Sequence, residues 1–272
     1  MTAADPLDPL ELWSTSGPPV GPVVVHVPHA GTEIPDDVRA GLLLDDDELG
    51  AELAAMTDWH TDRLAADAVA RSGVAATVFR NPWSRLVVDP ERFPDEREVM
   101  RSRGMGAVYT RTSALEPLRI DDPAQEARLI ERWFVPYAAA LAELVGRTLD
   151  GFDRCVLIDL HSYPSVPLAY EVDPTASRPG VCVGTDPFHT PAELRDTVVD
   201  AFAGVPGGVD LDTPFAGTYV PLDHYGVDAR VTSVMVEIRR DLYLDEPSTI
   251  DPAGFDDLVS RLGRLLGRLS ER

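Results

Sequence analysis

The chain has 272 residues and a formal charge of −22, with 46 acidic side chains against 24 basic ones, all of them arginine. This acid excess excludes nucleic acid and anionic membrane surfaces as partners, because both bind clustered basic residues. No apolar stretch approaches the ~20 residues of a membrane helix, and the N-terminal sequence MTAADPLDPLELW has no secretory-signal pattern. The composition therefore predicts a cytoplasmic globular protein.

Strand-like and helix-like segments alternate along the chain, which favours an α/β fold with a parallel or mixed sheet covered by helices on both faces. In chain order we predict a strand at 22–27, helices at 45–54 and 59–72, strands at 75–79 and 86–88, a helix at 123–149, strands at 155–160 and 181–184, a helix at 191–202, a strand at 233–238 and a helix at 252–269. No linker rich in Pro, Gly and Ser interrupts the series, so we expect one domain over residues 1–272.

The sequence also contains one long irregular segment and two cysteines. Segment 89–122 is rich in Arg, Gly and Pro without a clear period, and loops of that length are usually functional or mobile. Cys155 and Cys182 both lie in apolar strand-like runs. They are therefore expected to be buried thiols and not a disulfide framework.

Polar side chains stand at the ends of three predicted strands, where open α/β sheets bind their ligands. His29 follows the first strand, Asp159 and His161 end the central strand, and Glu237 lies within an otherwise apolar strand. Two imidazoles with a carboxylate suit zinc, and a catalytic zinc site keeps one position open for water. A further carboxylate near the metal can take the proton of that water. The pattern predicts a zinc site at this edge of the sheet.

Each of these residues also has a structural explanation. His29 could be a hydrogen-bonded structural histidine, and Asp159 could cap a turn or orient a neighbouring histidine. A buried carboxylate at Glu237 is costly unless a cation meets it, and Arg239 or Arg240 could supply an ion pair instead of a metal.

The third metal ligand is left open by the residues alone. The sequence TDWHTD at 57–62 offers Asp58, His60 and Asp62, and Glu33 follows His29 by four residues. The two aspartates could equally be capping and first-turn acids of the helix predicted at 59–72. His189 and His224, in predicted loops, are expected to face solvent.

Several short stretches, taken together and in order, resemble the N-formylglutamate amidohydrolase family. They are PHAGTEIP at 28–35, TDWHTD at 57–62, NPWSRLVVD at 81–89, DLHS at 159–162, Gly217, Tyr225-Gly226 and EIRRDLY at 237–243. The match covers most of the chain, from about residue 23 to residue 243.

The resemblance implies a fold like that of the zinc-dependent carboxypeptidases and related exopeptidases of the phosphorylase/hydrolase type: three layers, α/β/α, around a central mixed sheet. It implies one zinc ion (Zn²⁺), with His29, Asp58 and His161 as ligands and Glu237 as the general base. The implied reaction is hydrolysis of a small anionic amide such as N-formyl-L-glutamate, a step of histidine catabolism, to formate and glutamate.

The resemblance also implies that arginines between residues 80 and 92 hold the carboxylates of the substrate, and Arg80, Arg85 and Arg92 are our choices. Family members commonly read Asp-x-Asn-Arg where this chain reads DPER at 89–92. Glu91 thus places a negative charge where an anionic substrate would be held. A zinc-dependent peptidase or deacylase acting on another small amide therefore stays open, as does a metal-binding protein without catalysis.

Other enzyme classes are not supported by the sequence. The chain has no lysine to complete a phosphate-binding Gly-x-x-x-x-Gly-Lys loop. It also has no Gly-x-Ser-x-Gly elbow of the serine hydrolases. The oligomeric state does not follow from the sequence.

Overall fold

A mixed six-stranded sheet forms the centre of the protein, seen in a computed structural model that describes residues 19–245 and 248–271. Its strands are β1 (Val23–Val27), β2 (Ala76–Arg80), β3 (Cys155–Tyr163), β4 (Val181–Gly184), β5 (Val209–Leu211) and β6 (Val231–Arg239). The strand order is β2-β1-β3-β6-β4-β5, and β4 is antiparallel to β6 while the other pairs are parallel. The N-terminal sequence examined for a secretory signal lies outside the described residues.

Helices cover both faces of this sheet. They are α1 (Asp36–Arg39), α2 (Asp46–Met56), α3 (Thr61–Ser72), α4 (Pro123–Leu129), α5 (Val135–Phe152), α6 (Ala192–Ala201) and α7 (Pro252–Ser270), with 3₁₀ turns at Val99–Arg103 and Arg240–Leu242 and a short hairpin of β7 (Leu244–Asp245) and β8 (Thr249–Ile250). No helix in the part of the chain that is described combines the length and apolarity needed to cross a bilayer.

Alternation of side chains along the strands divides the core into two layers. Val23, Val25 and Val27 face α3, α6 and α7, whereas Val24 and Leu157 pack with α4 and α5 on the opposite face. The nine residues of β3 are all buried, as expected for a central strand covered on both sides. The predicted α/β/α arrangement around a mixed sheet is therefore confirmed.

Local sequence signals explain several helix boundaries. Asp45 caps α2 in a capping box, in which its side chain accepts from the backbone N–H of Glu48 and the Glu48 side chain accepts from that of Asp45. Gly73 ends α3 in the left-handed conformation, with φ of 65°. The helix predicted at 123–149 is one helical run from α4 to α5, interrupted by a π turn at Ile130–Phe134. Pro136 explains the interruption, because it lacks the N–H for the α-helical bond to residue 132.

The sequence-based prediction assigns one strand wrongly and misses another. Residues 86–88 are buried but form a turn and not a strand, because Ser84 accepts locally from the N–H groups of Leu86 and Val87. The edge strand β5 was not predicted; its three residues are partly exposed and carry no apolar run. The expectation for Cys155 and Cys182 is confirmed, since both are free, buried thiols.

The parallel strands β1, β3 and β6 are neighbours, so their carboxyl ends meet at one edge of the sheet. In the register, His161 of β3 lies beside Glu237 of β6, and His26 of β1 lies beside Asp159 of β3. Side chains two residues apart on a strand share a face. This geometry brings the polar strand-end residues together on one side of the sheet edge.

Candidate metal centre and active site

Three potential metal-ligand atoms converge beyond the ends of β1 and β3. His29 Nδ1 lies 3.2 Å from His161 Nδ1, and Asp58 Oδ2 lies 3.1 Å from His161 Nδ1 and 3.7 Å from His29 Nδ1. Neighbouring ligands of a tetrahedral ion are about 3.4 Å apart when the metal–ligand bonds are about 2.1 Å long. All three residues are buried. The three atoms therefore have the spacing of one face of a tetrahedral metal site.

Backbone contacts hold the loops that carry these ligands. Val27 ends β1 and Pro28 stops the strand, so His29 projects from the loop just beyond the sheet edge. The N–H of Asp58 donates to the carbonyl oxygen of His29 at 3.0 Å, which fastens the α2–α3 turn to that loop. Thr61, the first residue of α3, donates from its hydroxyl to the carbonyl oxygen of Asp58. Asp58 is thus fixed by main-chain bonds beside His29.

Each histidine uses its second ring nitrogen to contact a carboxylate. His29 Nε2 lies 2.9 Å from Asp89 Oδ1, and His161 Nε2 lies 3.1 Å from Asp159 Oδ1. Because an ionised carboxylate only accepts, each Nε2 carries the proton and each Nδ1 has a free lone pair in the neutral ring. Carboxylates placed in this way orient metal-binding histidines and make them more basic.

The surroundings of the two Nδ1 atoms indicate whether the site suits a metal ion. With both protons on Nε2, two lone pairs face each other at 3.2 Å and the Asp58 carboxylate lies beside them. Within the described residues, these three atoms make their close polar contacts with one another. Such an arrangement needs a cation, and two imidazoles with one carboxylate suit a divalent transition metal. The residues present therefore fit a metal centre.

The pKa shifts of the three candidate ligands also favour a bound cation. Burial lowers the pKa of His161, but the carboxylates of Glu91 and Asp159 raise it well above its ordinary value. Burial likewise opposes a positive charge on His29, yet Asp89 and Asp58 hold its pKa above the usual range. Burial acts to raise the pKa of Asp58, whereas its contacts with His161 and His29 lower it. The site therefore favours an added positive charge, for which a metal ion competes with protons.

Glu237 presents an unpartnered carboxylate oxygen to the same cavity. Its Oε2 is buried and lacks a hydrogen-bond partner in the described part of the protein. Burial raises the pKa of Glu237 to about 7. The ion-pair alternative is not realised, because Arg239 pairs with Asp241 and Arg240 with Asp58. A carboxylate poised near neutral pH beside a candidate metal site can take and return protons.

Of the three arginines predicted to bind the substrate, two line the cavity and one does not. Arg85 and Arg92 line the cavity; Arg85 Nη2 donates to Asp89 Oδ2 at 2.7 Å, and Arg92 lies within 4 Å of both Asp89 and Glu98. Arg80 is half exposed at the end of β2, pairs with Asp62 and does not line the cavity. The structure therefore groups Arg85 and Arg92 with the candidate site and leaves Arg80 outside it.

Asp89 connects the arginines to the candidate ligands. Its Oδ1 contacts His29, and its Oδ2 accepts from Arg85 and from the hydroxyl of Tyr109. Burial acts to raise the pKa of Asp89, but His29 and Arg85 hold it well below its ordinary value. One buried carboxylate thus orients His29 and the guanidinium of Arg85 together.

Glu91 lies inside the candidate site. Its Oε1 lies 3.2 Å from His161 Nε2, and its Oε2 lies 3.7 Å from His29 Nε2. Burial and the neighbouring carboxylate of Asp159 raise the pKa of Glu91. The carboxylate expected from the DPER sequence is therefore next to the candidate ligands.

The other residues considered for the third ligand point elsewhere. His60 Nε2 contacts the carbonyl oxygen of Ser248, Asp62 pairs with Arg80, and Glu33 is exposed. Only Asp58 of this set reaches His29 and His161.

The sequence analysis missed His26 and considered Arg240 only as a partner of Glu237. His26 is buried in β1 and contacts Asp159, and Arg240 contacts Asp58. A histidine inside the apolar run VVVHV is the same kind of signal that singled out Glu237. The expectation for His189 is wrong: it is fully buried, and its ring bonds to the carbonyl oxygen of Val231 and the N–H of Gly226.

The candidate site opens into a cavity of about 1100 Å³. Its lining also includes apolar side chains of the π turn, α5 and the loop before β6: Ile130, Phe134, Val135, Ala138, Ala142, Val220 and Leu222. The cavity therefore combines the polar residues of the candidate metal centre with an apolar part of its lining.

One protein family, two relatives and a solved structure are similar to this chain over most of its length. The family described as N-formylglutamate amidohydrolase matches residues 21–244. An N-formylglutamate deformylase of Pseudomonas putida is 25% identical over 83% of this chain and 82% of its own, and one of Pseudomonas aeruginosa is 28% identical over 83% of both. The crystal structure of an N-formylglutamate amidohydrolase from Ralstonia eutropha JMP134 superposes with a TM-score of 0.73 at 25% identity, covering 94% of this chain and 95% of that one.

Proposed function

The chain belongs to the N-formylglutamate amidohydrolase family, and from this premise we propose that it hydrolyses the amide bond of N-formyl-L-glutamate or a closely related small amide. The products would be formate and glutamate. The relatives named N-formylglutamate deformylase, matched over 83% of this chain, support this substrate class.

The proposed cofactor is one zinc ion held by His29, Asp58 and His161. The observation that carries the proposal is the pair of Nδ1 atoms 3.2 Å apart, whose second nitrogens both contact carboxylates. Bound there, zinc would supply Lewis acidity, which activates water and stabilises the negative charge that develops on the carbonyl oxygen.

Glu237 is proposed to move the proton during hydrolysis. Its Oε2 has no competing hydrogen bond among the described residues, and burial places its pKa at about 7. Oε2 can therefore accept a proton from the attacking water near neutral pH. The same atom then delivers the proton to the amide nitrogen as the C–N bond breaks, and so restores the carboxylate.

Arg85 and Arg92 are proposed to hold the carboxylates of the substrate. A guanidinium binds a carboxylate in a two-pronged fashion, which fixes its orientation as well as its position. Asp89 keeps Arg85 in place, so this group needs little reorganisation when substrate binds. Both arginines line the cavity beside the candidate ligands.

Metal content and hydrolysis of N-formyl-L-glutamate, measured on the wild type and Glu237→Gln, test the proposal. The variant is expected to retain zinc and to lose activity by about a hundredfold or more. Glu52→Gln is the matched control, because Glu52 is also a buried carboxylate but does not line the cavity. Full activity in Glu237→Gln would remove it from the proton-transfer role, and tight zinc without turnover on any amide would favour a metal-binding protein.

The apolar part of the cavity lining favours a second candidate substrate, an amino acid with a larger N-acyl group. A formyl group fills little of a 1100 Å³ cavity, and Val135 and Leu222 of that lining are 51% and 43% exposed. A series of N-formyl, N-acetyl and N-hexanoyl glutamates distinguishes the two candidates. A kcat/KM that rises with acyl length, and falls again in Val135→Asp, would support the deacylase.

A further inference from the structure

A buried chain of hydrogen bonds leads away from the candidate metal ligand His161. Asp159 Oδ1 lies 3.1 Å from His161 Nε2 and 2.9 Å from His26 Nδ1. On the far side of the ring, His26 Nε2 lies 2.5 Å from the hydroxyl oxygen of Tyr137. The chain thus links helix α5, strand β1 and strand β3 to the candidate ligand.

The positions of the protons along this chain follow from its chemistry. Ionised Asp159 only accepts, so His161 Nε2 and His26 Nδ1 both donate to it. In the neutral ring, His26 Nε2 then has a lone pair, which accepts the hydroxyl proton of Tyr137. The second carboxylate oxygen of Asp159 accepts from the backbone N–H of Tyr219 at 2.9 Å. His161, His26 and the N–H of Tyr219 therefore donate to Asp159, and Tyr137 donates to His26.

Because this chain of hydrogen bonds is buried, losing one of its donors is costly. His26 and Tyr137 are each 1% exposed and Asp159 is 2% exposed, so water does not substitute for a missing donor at low cost. If His26 Nδ1 stopped donating, Asp159 would lose one of its three donors and be held less firmly. His161 would then be less tightly oriented by Asp159, one of the two carboxylates, with Glu91, that keep its proton on Nε2 and its Nδ1 lone pair directed at Asp58 and His29.

We propose that His26 is a positioning residue: it donates to Asp159, which fixes the tautomer and orientation of the metal ligand His161, and the Tyr137 hydroxyl holds the His26 ring from its other side. The inference rests on the metal site of the proposed function but not on the identity of the substrate. Partners that orient a metal-binding histidine typically contribute 10- to 100-fold to metal affinity.

Zinc affinity, measured by competition with a chelator, tests this proposal without any substrate. His26→Phe removes the donor and is expected to weaken zinc binding about tenfold. His26→Asn is the matched rescue, because the asparagine amide nitrogen takes the place of Nδ1 and can still donate to Asp159. It is expected to bind zinc within about threefold of the wild type. Equal weakening in both variants, or none in either, would overturn the proposal.

Tyr137→Phe keeps the test valid if His26→Phe does not fold. Losing only the hydroxyl leaves His26 Nε2 without its donor, so the ring is held from the Asp159 side alone and its Nδ1–H is less firmly directed at Asp159. We expect several-fold weaker zinc binding and an altered absorption spectrum of the cobalt-substituted protein, and an unchanged affinity and spectrum would contradict the positioning role of the chain from Tyr137 through His26.

Val25→Ala controls for a purely structural effect. Val25 precedes His26 in β1 and is buried, but its side chain packs in the layer of α3, α6 and α7. The variant is expected to lower the free energy of unfolding and to leave the zinc affinity unchanged. Weaker zinc binding in Val25→Ala as well would mean that any loss of stability in β1 disturbs the site, and would overturn the specific role of His26. If the zinc results hold but no amide is hydrolysed, the proposed function fails and the positioning role stands.

Discussion

Arg240 and Asp58 form a buried ion pair, in which Arg240 Nη2 lies 3.3 Å from Asp58 Oδ1. The same guanidinium donates to the carbonyl oxygens of Ala55 and Ser162, so it joins the end of α2 to the end of β3. Asp58 Oδ2 is thereby left facing the two histidines. An arginine that follows β6 in sequence thus orients a carboxylate that follows α2.

Replacing Arg240 tests this relationship. Arg240→Met removes the arginine partner of the buried Asp58 carboxylate and leaves it only the two histidines, and breaking a buried pair costs about 3 kcal/mol of the free energy of unfolding. Urea denaturation of the metal-free protein measures the loss. Arg71→Met is the control, since Arg71 pairs with Asp256 and both side chains are about half exposed, and it is expected to change stability by less than about 1 kcal/mol. Equal effects of the two substitutions would show that the contact with Asp58 contributes little.

The raised pKa of Glu237 predicts how the stability of the metal-free protein depends on pH. Between the ordinary value of 4.5 and the folded value of about 7, the folded protein keeps a proton that the unfolded chain releases. The free energy of unfolding therefore falls as pH rises through this window, by at most about 1.4 kcal/mol per pH unit. The difference in urea midpoints between the wild type and Glu237→Gln, followed from pH 4.5 to 8, isolates this contribution. A difference that is constant with pH would contradict the prediction.

Glu91 is expected to weaken the binding of a dicarboxylate substrate. Its carboxylate lies among the candidate ligands, and like charges brought together in a partly buried site repel each other. Glu91→Gln keeps the size and removes the charge, and we expect the KM for N-formyl-L-glutamate to fall about tenfold, which corresponds to about 1.4 kcal/mol.

The control for this charge effect is a substrate and not a second variant. N-formyl-L-leucine has one carboxylate fewer, so the change in its KM is expected to be smaller. If Glu91→Gln changes both KM values by the same factor, the effect is not electrostatic repulsion of the second carboxylate.

The two cysteines are expected to be unreactive towards thiol reagents in the folded protein. Burial raises the pKa of the Cys155 thiol and of the Cys182 thiol to about 12, and only the thiolate reacts readily. Titration with a thiol reagent at pH 8 should therefore detect neither group in the native state and both in denaturant. Rapid reaction of either thiol before unfolding would show that its strand opens locally.

Sequence patterns predicted much of the fold and part of the candidate site. Long apolar runs and helical periodicity located β1, β3, β4, β6 and most helices, because burial on both faces leaves a clear local signal. Segment 86–88 was mistaken for a strand, since an apolar run shows burial but not the hydrogen-bond partners of its backbone. The π turn before Pro136 was also missed, although the proline that explains it was visible.

His29, His161 and Glu237 were singled out from the sequence by itself, because polar residues that follow or interrupt apolar strands stand out locally and parallel strands end at one edge. Only the tertiary structure decided that Asp58, and not His60, Asp62 or Glu33, reaches the two histidines. These four residues have similar local signals, and what separates them is a main-chain bond from Asp58 to His29 and an ion pair with Arg240, 182 residues away. The contacts of Asp159 with His26, 133 residues apart, are equally invisible in a local pattern. The chemistry available at the sheet edge is thus determined by residue type along each strand, whereas the identity of the partners depends on which loops the folded chain holds together.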